Sequence, residues 1–211
     1  MSESEVALRE PWRSLQRQRE AATFGIWLFL VSEVLFFSGL FLSYTVFRLF
    51  HTEAFDAAAH ETNIWFGTVN TMVLMTSSLT MAMAAQGGEA GLYRTARWCL
   101  LATAALGLAF LLFKGFEYSE DLDENLWPGT GFALHAPAAA LFFTLYWVMT
   151  GIHAVHLTVG IGLVLRLYFV ARQDDRMLAR SPQFEVTALY WHLVDIIWIF
   201  LYPLLYLVDR T

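Results

Sequence analysis

The sequence predicts an all-α, polytopic membrane protein, a bundle of five transmembrane helices. Three observations point there. The chain has 211 residues, 57% hydrophobic and 15% charged, with a mean hydropathy of +0.50. A soluble domain carries about 25% charged residues, and the 18 Phe and 8 Trp strengthen the contrast. Apolar runs of about 20 residues recur along the chain, the length needed to cross hydrocarbon. They are continuous rather than alternating, which excludes the ~10-residue strands of a barrel.

The elements follow in order. A charged tail, residues 1–23, contains Pro11 and Trp12 and precedes the first apolar run, Phe24–Phe47. That tail is expected to be cytoplasmic, with an amphipathic surface helix over Met1–Ala22. No apolar run lies before Phe24, so the first span is expected to act as its own insertion signal. The spans after it are Ile64–Ala85, Arg97–Phe116, Ala138–Val170 and Ala188–Val208, so the bundle occupies residues 24–209. The third is the weakest by pattern, since Lys114 and Glu117 close it; the fourth is long enough to tilt. Connections are expected at Thr52–Thr62, Gln86–Thr95, Ser119–Pro137 and Gln173–Gln183, with Gly87-Gly88 and Pro128-Gly129 as turn signals. The second span is rich in Asn70, Thr71, Ser77, Ser78, Ala82, Ala84 and Ala85, residue types that let helices approach closely in lipid.

The net charge of −6 hides a sorted distribution. With the N-terminus cytoplasmic, that side holds Arg9, Arg13, Arg17, Arg19, Arg94, Arg97, Arg166, Arg172, Arg176 and Arg180, and the other holds Arg48, Lys114 and Arg210. Ten against three is a positive-inside pattern, and five spans then put the C-terminus outside. Cys99 is the single cysteine. It excludes an intrachain disulfide and a thiolate metal site, and is read as a small buried apolar residue.

Polar residues inside spans carry what chemistry there is. Each charged group at mid-bilayer costs about 2.5–3.5 kcal/mol on insertion scales. Glu33 lies about ten residues into the first span. A lone carboxyl at that depth is expected to be neutral; it is either bonded to a neighbouring helix or serves as a proton relay or interface contact. Lys114 and Glu117, three apart, read as an ion pair snorkelling to the headgroups. His153 and His156 share a helix face, as do Glu185, His192 and Asp195, and the last two are close enough to bond each other. Six histidines, with His51 and His60 in a loop and His135 at a helix end, are too few for a membrane di-iron site. His156 and His192 on facing helices keep a b-type heme open as an alternative. No Gly-rich phosphate loop, nucleophile elbow or basic nucleic-acid patch is present.

Ser32-Glu33-Val34-Leu35-Phe36-Phe37 resembles the acidic-helix motif of subunit III of heme–copper terminal oxidases. Glu117-Tyr118, Thr150-Gly151-Ile152-His153-Ala154-Val155-His156, Phe184-Glu185 and the block Tyr190-Trp191-His192-Leu193-Val194-Asp195-Ile196-Ile197-Trp198-Ile199-Phe200-Leu201-Tyr202 continue the resemblance in order. It covers nearly everything from Phe24 to Tyr206. The longest family members have two further helices before the first span found here, so this chain is similar to the five-helix bacterial form. The resemblance implies a subunit of a cytochrome c oxidase in the bacterial inner membrane, with no catalytic, cofactor or metal residue of its own. Heme and copper would sit in the partner subunits I and II. It also implies packing on subunit I, bound phospholipid and support of proton uptake and turnover stability, and it leaves open a subunit IV and a respiratory supercomplex. Glu33 matches the family's carbodiimide-reactive acid, and Glu117, His153, His156, Glu185, His192 and Asp195 match polar positions with structural or lipid-contacting roles. A quinol oxidase subunit III and an accessory subunit of a nitric oxide reductase share the pattern; an independent heme carrier or transporter is the remaining alternative.

Overall fold

The computed structural model describes residues 15–129, 131–134, 137–173 and 182–207, and among them all regular structure is helical. Six helices follow one another: α1 Leu15–Phe50, α2 Thr52–Glu61, α3 Ile64–Glu89, α4 Tyr93–Asp123, α5 Pro137–Gln173 and α6 Pro182–Tyr206. Four are long and apolar enough to cross a membrane, in the segments Glu20–Phe50, Tyr93–Asp123, Ala138–Gln173 and Gln183–Tyr206. The third span, expected to be the weakest, is therefore among the clear ones. The helix that falls short is α3, despite its 26 residues. Gly67, Thr68, Asn70, Thr71, Thr76, Ser77, Ser78, Thr80, Gln86, Gly87 and Gly88 dilute its apolar content.

Two further expectations change. Residues 52–61 form the short helix α2 rather than a plain connection; Phe55, Ala58 and Ala59 bury one side of it against the bundle. Phe55 packs edge-on to Tyr44 and Phe142, at 5.5 and 5.6 Å between ring centroids. Helix α1 begins at Leu15, so it runs back through residues assigned to the tail; Met1–Ser14 lie outside the described residues, as do His135, Arg176, Arg180 and Arg210.

Local sequence explains the ends. The Asn63 side chain accepts a hydrogen bond from the Trp65 N–H at 3.1 Å and caps α3. At the other end Gly87 and Gly88 remain helical and buried, because Gly87 lies against Ala96 of α4. The turn is made by Gly91, at φ +75°, where the left-handed conformation favours glycine. The Leu92 N–H then bonds the Gly87 carbonyl at 2.8 Å. Pro203 sits inside α6 and removes one backbone donor. Donors from elsewhere serve the carbonyls just beyond it: Tyr44 Oη on Leu204 at 2.5 Å and Thr62 Oγ1 on Leu205 at 3.3 Å.

Cross-helix contacts fix direction. Thr68–Tyr202, Thr71–Trp198 and Ser78–His192 run α3 against α6. Glu33–His156 and Tyr44–Phe142 run α1 against α5, and Tyr118–Thr150 runs α4 against α5. One end of the bundle therefore gathers the start of α1, the end of α3, the start of α4, the end of α5 and the start of α6. The other carries α2 and the acidic end of α4. Close approach comes from glycine. A Cβ on Gly107 of α4 would lie 2.8 Å from Trp191 Cη2, and one on Gly160 of α5 would lie 3.2 Å from its Cε3. Trp191 of α6 is thus wedged between two glycines, with its indole N–H on Ser77 Oγ at 3.2 Å.

Candidate functional site

Polar side chains inside the bundle fall into three groups. The largest lies at the acidic end, where α4, α5 and α6 meet. Lys114 and Glu117 do pair, at 2.9 Å, but they do not snorkel: their side chains are 3% and 1% exposed. Tyrosines from the neighbouring helices close over them. Lys114 Nζ donates to Tyr146 Oη at 2.9 Å and to Tyr206 Oη at 2.6 Å. Glu117 Oε1 accepts from Tyr206 at 2.6 Å and from Tyr146 at 2.9 Å. Asp121, one helical turn on, accepts from Tyr146 at 2.9 Å and is itself buried. The Tyr146 phenol thus has one proton to share between two carboxylates. The ammonium also lies 4.5 Å from the Tyr146 ring centroid and 4.9 Å from that of Tyr118, close enough for cation–π attraction. Counting formal charges, one Lys faces two carboxylates, so the cluster carries −1 when all three are ionised.

The second group joins α1 to α5. Glu33 is not the lone carboxyl the sequence suggested. Its Oε2 lies 3.0 Å from His156 Nε2, with side-chain exposures of 17% and 20%. His156 Nδ1 faces the Ile152 carbonyl at 2.9 Å, which orients the ring. The Tyr190 hydroxyl donates to the His156 carbonyl at 3.0 Å. The pair floors an open groove of about 390 Å³ walled by Ile26, Phe29, Val155, Val159 and Leu163. Glu33 is therefore shielded on one side and reachable through an apolar opening on the other.

The third group belongs to α3 and α6, and it corrects the expected bond between His192 and Asp195. His192 Nδ1 pairs instead with Ser78 Oγ at 2.8 Å. Asp195 is 3% exposed and interacts with the same Ser78 hydroxyl, although neither of its oxygens reaches good hydrogen-bond geometry among the described residues. Spacing of three put both on one side of the helix, but α6 turns that side so that Ser78 of α3 is nearer the imidazole. His153 is fully buried with neither ring nitrogen bonded among the described residues, packed 5.1 Å from Trp198 and 5.6 Å from Phe110 between centroids. Asn70 is likewise buried without a hydrogen-bond partner among the described residues. Glu185, the first member of the α6 stripe, is exposed.

The structure thus brings Glu33 to His156, sets His192 and Asp195 about the one Ser78 hydroxyl, and leaves His153 apart from them. His156 and His192 have different partners, and no cluster of three or more His, Cys, Asp or Glu side chains that could hold a metal occurs among the described residues. Cys99 is half-buried rather than buried. Sequence reading missed Tyr146, Tyr206 and the inward turn of Asp121. A weak signal existed: Tyr146 lies seven residues before His153, on the same helix face.

Comparison with known proteins gives a family match for the chain. A family profile described as cytochrome c oxidase subunit III matches residues 15–209. The cytochrome c oxidase subunit 3 of Thermostichus vulcanus is 33% identical over 187 residues, spanning 88% of this chain and 87% of that protein. The protein of the same name from Synechocystis sp. is 34% identical over 190 residues, 87% of this chain and 74% of that one. A heme-copper oxidase subunit I+III from Aeropyrum pernix is 31% identical over 193 residues, which are 87% of this chain but 22% of that protein.

Proposed function

This chain belongs to the cytochrome c oxidase subunit III family, and from that premise we propose that it is a non-catalytic subunit which packs on subunit I of a bacterial heme–copper oxidase. The observation that carries the reading is the use made of the intramembrane polar groups. Glu33, Lys114, Glu117, Asp121, His156 and His192 are each engaged by a side chain in the same chain, as helix-locking groups are. The Aeropyrum pernix relative unites subunits I and III in one polypeptide, which supports packing of the two side by side. Heme and copper belong, on this reading, to subunits I and II, and phospholipid covers the exposed apolar faces.

Helix α3 is the fifth crossing. It runs antiparallel to α4 and α6, has 26 residues against the 25 of α6, and its hydroxyl groups face inward or bond their own helix, as Thr68, Thr71 and Thr76 do. Orientation follows charge. Among the described residues the end holding Arg17, Arg94, Arg97, Arg166 and Arg172 is cytoplasmic, and the end holding only Arg48 and Lys114 is external. A tag on this chain should bring down a heme-bearing subunit I, and the released chain should have no Soret band. A stoichiometric Soret band on the chain alone, lost in His156→Ala or His192→Ala, overturns the assignment. A thiol at Asp123→Cys should react with impermeant reagent only from outside; labelling from the cytoplasmic side alone reverses the topology.

A further inference from the structure

A second use of the buried tyrosines follows from the rings around them. Trp127, in the segment after α4, is 54% exposed. Its ring centroid lies 5.0 Å from that of Trp147 on α5. Trp147 in turn lies 4.2 Å from Tyr118 and 6.1 Å from Tyr146. Tyr146 lies 6.3 Å from Tyr206, and both are fully buried. A run of neighbouring rings therefore leads from the surface to the Lys114 cluster. Tryptophan and tyrosine are the side-chain rings that give up one electron most readily. Exchange between them is fast at contact, because electronic coupling falls off exponentially with distance.

Hydrogen bonding decides where an electron vacancy settles. A phenol is oxidised easily only when its proton can leave with the electron. Tyr146 donates to Glu117 Oε1 and to Asp121 Oδ2, each at 2.9 Å, and Tyr206 donates to Glu117 Oε1 at 2.6 Å. Each of these phenols thus faces a carboxylate able to take its proton. The rings nearer the surface do not. Thr150 uses its hydroxyl proton on the Tyr146 carbonyl at 2.6 Å, so Tyr118 donates at 2.7 Å to a hydroxyl oxygen, which is no base. The Trp147 indole N–H is buried with no acceptor among the described residues. Charge acts in the same direction. With Lys114, Glu117 and Asp121 all ionised the cluster has one negative charge in excess, and loss of one electron there neutralises it. A cation radical left on Trp147 or Tyr118 would instead be a new charge in a buried setting, which is costly.

We propose that this run of rings is a relay for oxidising equivalents, which releases an electron at Trp127 and leaves the vacancy on Tyr146 or Tyr206 as a neutral phenoxyl radical. A one-electron oxidant at the surface takes an electron from Trp127 and is itself reduced by one. Trp127 is refilled from Trp147, and Trp147 from Tyr146, directly or through Tyr118. Tyr146, or Tyr206 behind it, supplies that electron and passes its phenolic proton to Glu117, so no proton leaves the bundle. Lys114 Nζ, 2.9 Å from Tyr146 Oη and 2.6 Å from Tyr206 Oη, goes on donating to the phenoxyl oxygen. The oxidants such a relay meets are oxygen-derived radicals, the class a neighbouring oxidase releases. That source rests on the function proposed above; the relay itself uses only residues of this chain.

The test uses the purified full chain in detergent, free of heme-bearing partners, with photo-oxidised tris(bipyridine)ruthenium as oxidant. Electron paramagnetic resonance reads samples frozen after illumination. Wild type should give a tyrosyl radical, whose signal narrows with ring-deuterated tyrosine and not with ring-deuterated tryptophan. At high field its gx component should be lowered, the signature of a phenoxyl oxygen bonded to a cationic donor such as Lys114. Trp147→Phe keeps an aromatic ring but breaks the run. It should abolish that signal and leave a tryptophanyl radical at Trp127. Tyr118→Phe should retain the signal, since Trp147 also neighbours Tyr146 directly. The wild-type measurements do not depend on any variant folding. A wild-type chain with only a tryptophanyl signal, or with a tyrosyl gx that lacks the cationic shift, overturns the relay. So does a tyrosyl signal unchanged in a folded Trp147→Phe chain. Hydrogen peroxide added to the copurified complex should give the same low-gx tyrosyl signal. Its absence there, with the illuminated chain still positive, would strike the oxidase as the source and leave the relay standing.

Discussion

Replacing Lys114 by Met should be the most damaging single change in the bundle. Met keeps most of the side-chain volume, so the effect reports charge rather than a cavity. The variant leaves Glu117 and Asp121 facing each other across Tyr146 with no cation, and the formal charge of the cluster goes from −1 to −2. Removing one partner of a buried pair costs about 3–5 kcal/mol. Glu117→Gln has the opposite sign: Lys114 then balances Asp121, and the amide oxygen still accepts from Tyr146 or Tyr206. Its cost should be that of weakened interhelical hydrogen bonds, roughly 1–2 kcal/mol. Asp121→Asn loses charge at a group holding one hydrogen bond and should cost least. The double variant Lys114→Met/Glu117→Gln returns the charge to −1 and should be more stable than Lys114→Met alone, a coupling within the 0.5–3 kcal/mol seen for contacting residues. Denaturation of the purified chain by sodium dodecyl sulfate in mixed micelles, followed by far-ultraviolet circular dichroism, ranks the four. If Glu117→Gln is as harmful as Lys114→Met, or the double variant is worse than both, charge balance does not organise the cluster and the reasoning fails.

Gly107→Ala should cost about 1–3 kcal/mol by overpacking, because Trp191 already occupies the space, whereas Gly115→Ala in the same helix meets nothing within 4 Å and should cost nothing; equal thermal midpoints for the two variants would contradict the wedge. Ser78→Ala should weaken the α3–α6 contact by about 0.6–1.7 kcal/mol, and His192→Ala combined with it should add little; full additivity in the same denaturation assay would mean the two do not share a bond. Glu33→Gln keeps an acceptor for His156, so an oxidase carrying it should show near-normal initial turnover and pumping, with at most faster inactivation over many turnovers. A fully assembled Glu33→Gln complex that fails to pump from the first turnover would place the carboxyl on a proton path.

Apolar run length found the four helices that are long and apolar enough to cross a membrane, and the reason is physical: hydrocarbon imposes length and apolarity together. It gave no sign of α2, whose ten residues carry Glu53, Asp56, His60 and Glu61 beside the buried Phe55. It also counted Ile64–Ala85 as a span, where α3 falls short of the combined length and apolarity that mark the other four; its threonines bond carbonyls four residues back. Site residues were legible when both partners were close in sequence. Lys114 and Glu117 met as their spacing said. Their burial depended on Tyr146 and Tyr206, 32 and 92 residues from Lys114, and no local pattern announces such partners. Glu33 and His156 are 123 residues apart, so each looked solitary. For His192 and Asp195 the spacing misled, because sharing a helix face says nothing about which neighbour the face meets.

Membrane helices lie among lipid tails as apolar as their own side chains, so hydrophobicity cannot choose which helix faces which. Small residues and polar contacts must do so, and here each main interface has its own. Glu33–His156 joins α1 to α5, and Tyr44 on the Leu204 carbonyl joins α1 to α6. Ser78–His192, Thr71–Trp198 and Thr68–Tyr202 join α3 to α6 at three depths. Thr80–Thr103 joins α3 to α4, and Lys114 with its tyrosines ties α4 to α5 and α6. A proton conduit would string such groups along one axis. These are distributed instead one interface at a time, which fits the proposal that the chain holds a shape beside a catalytic partner.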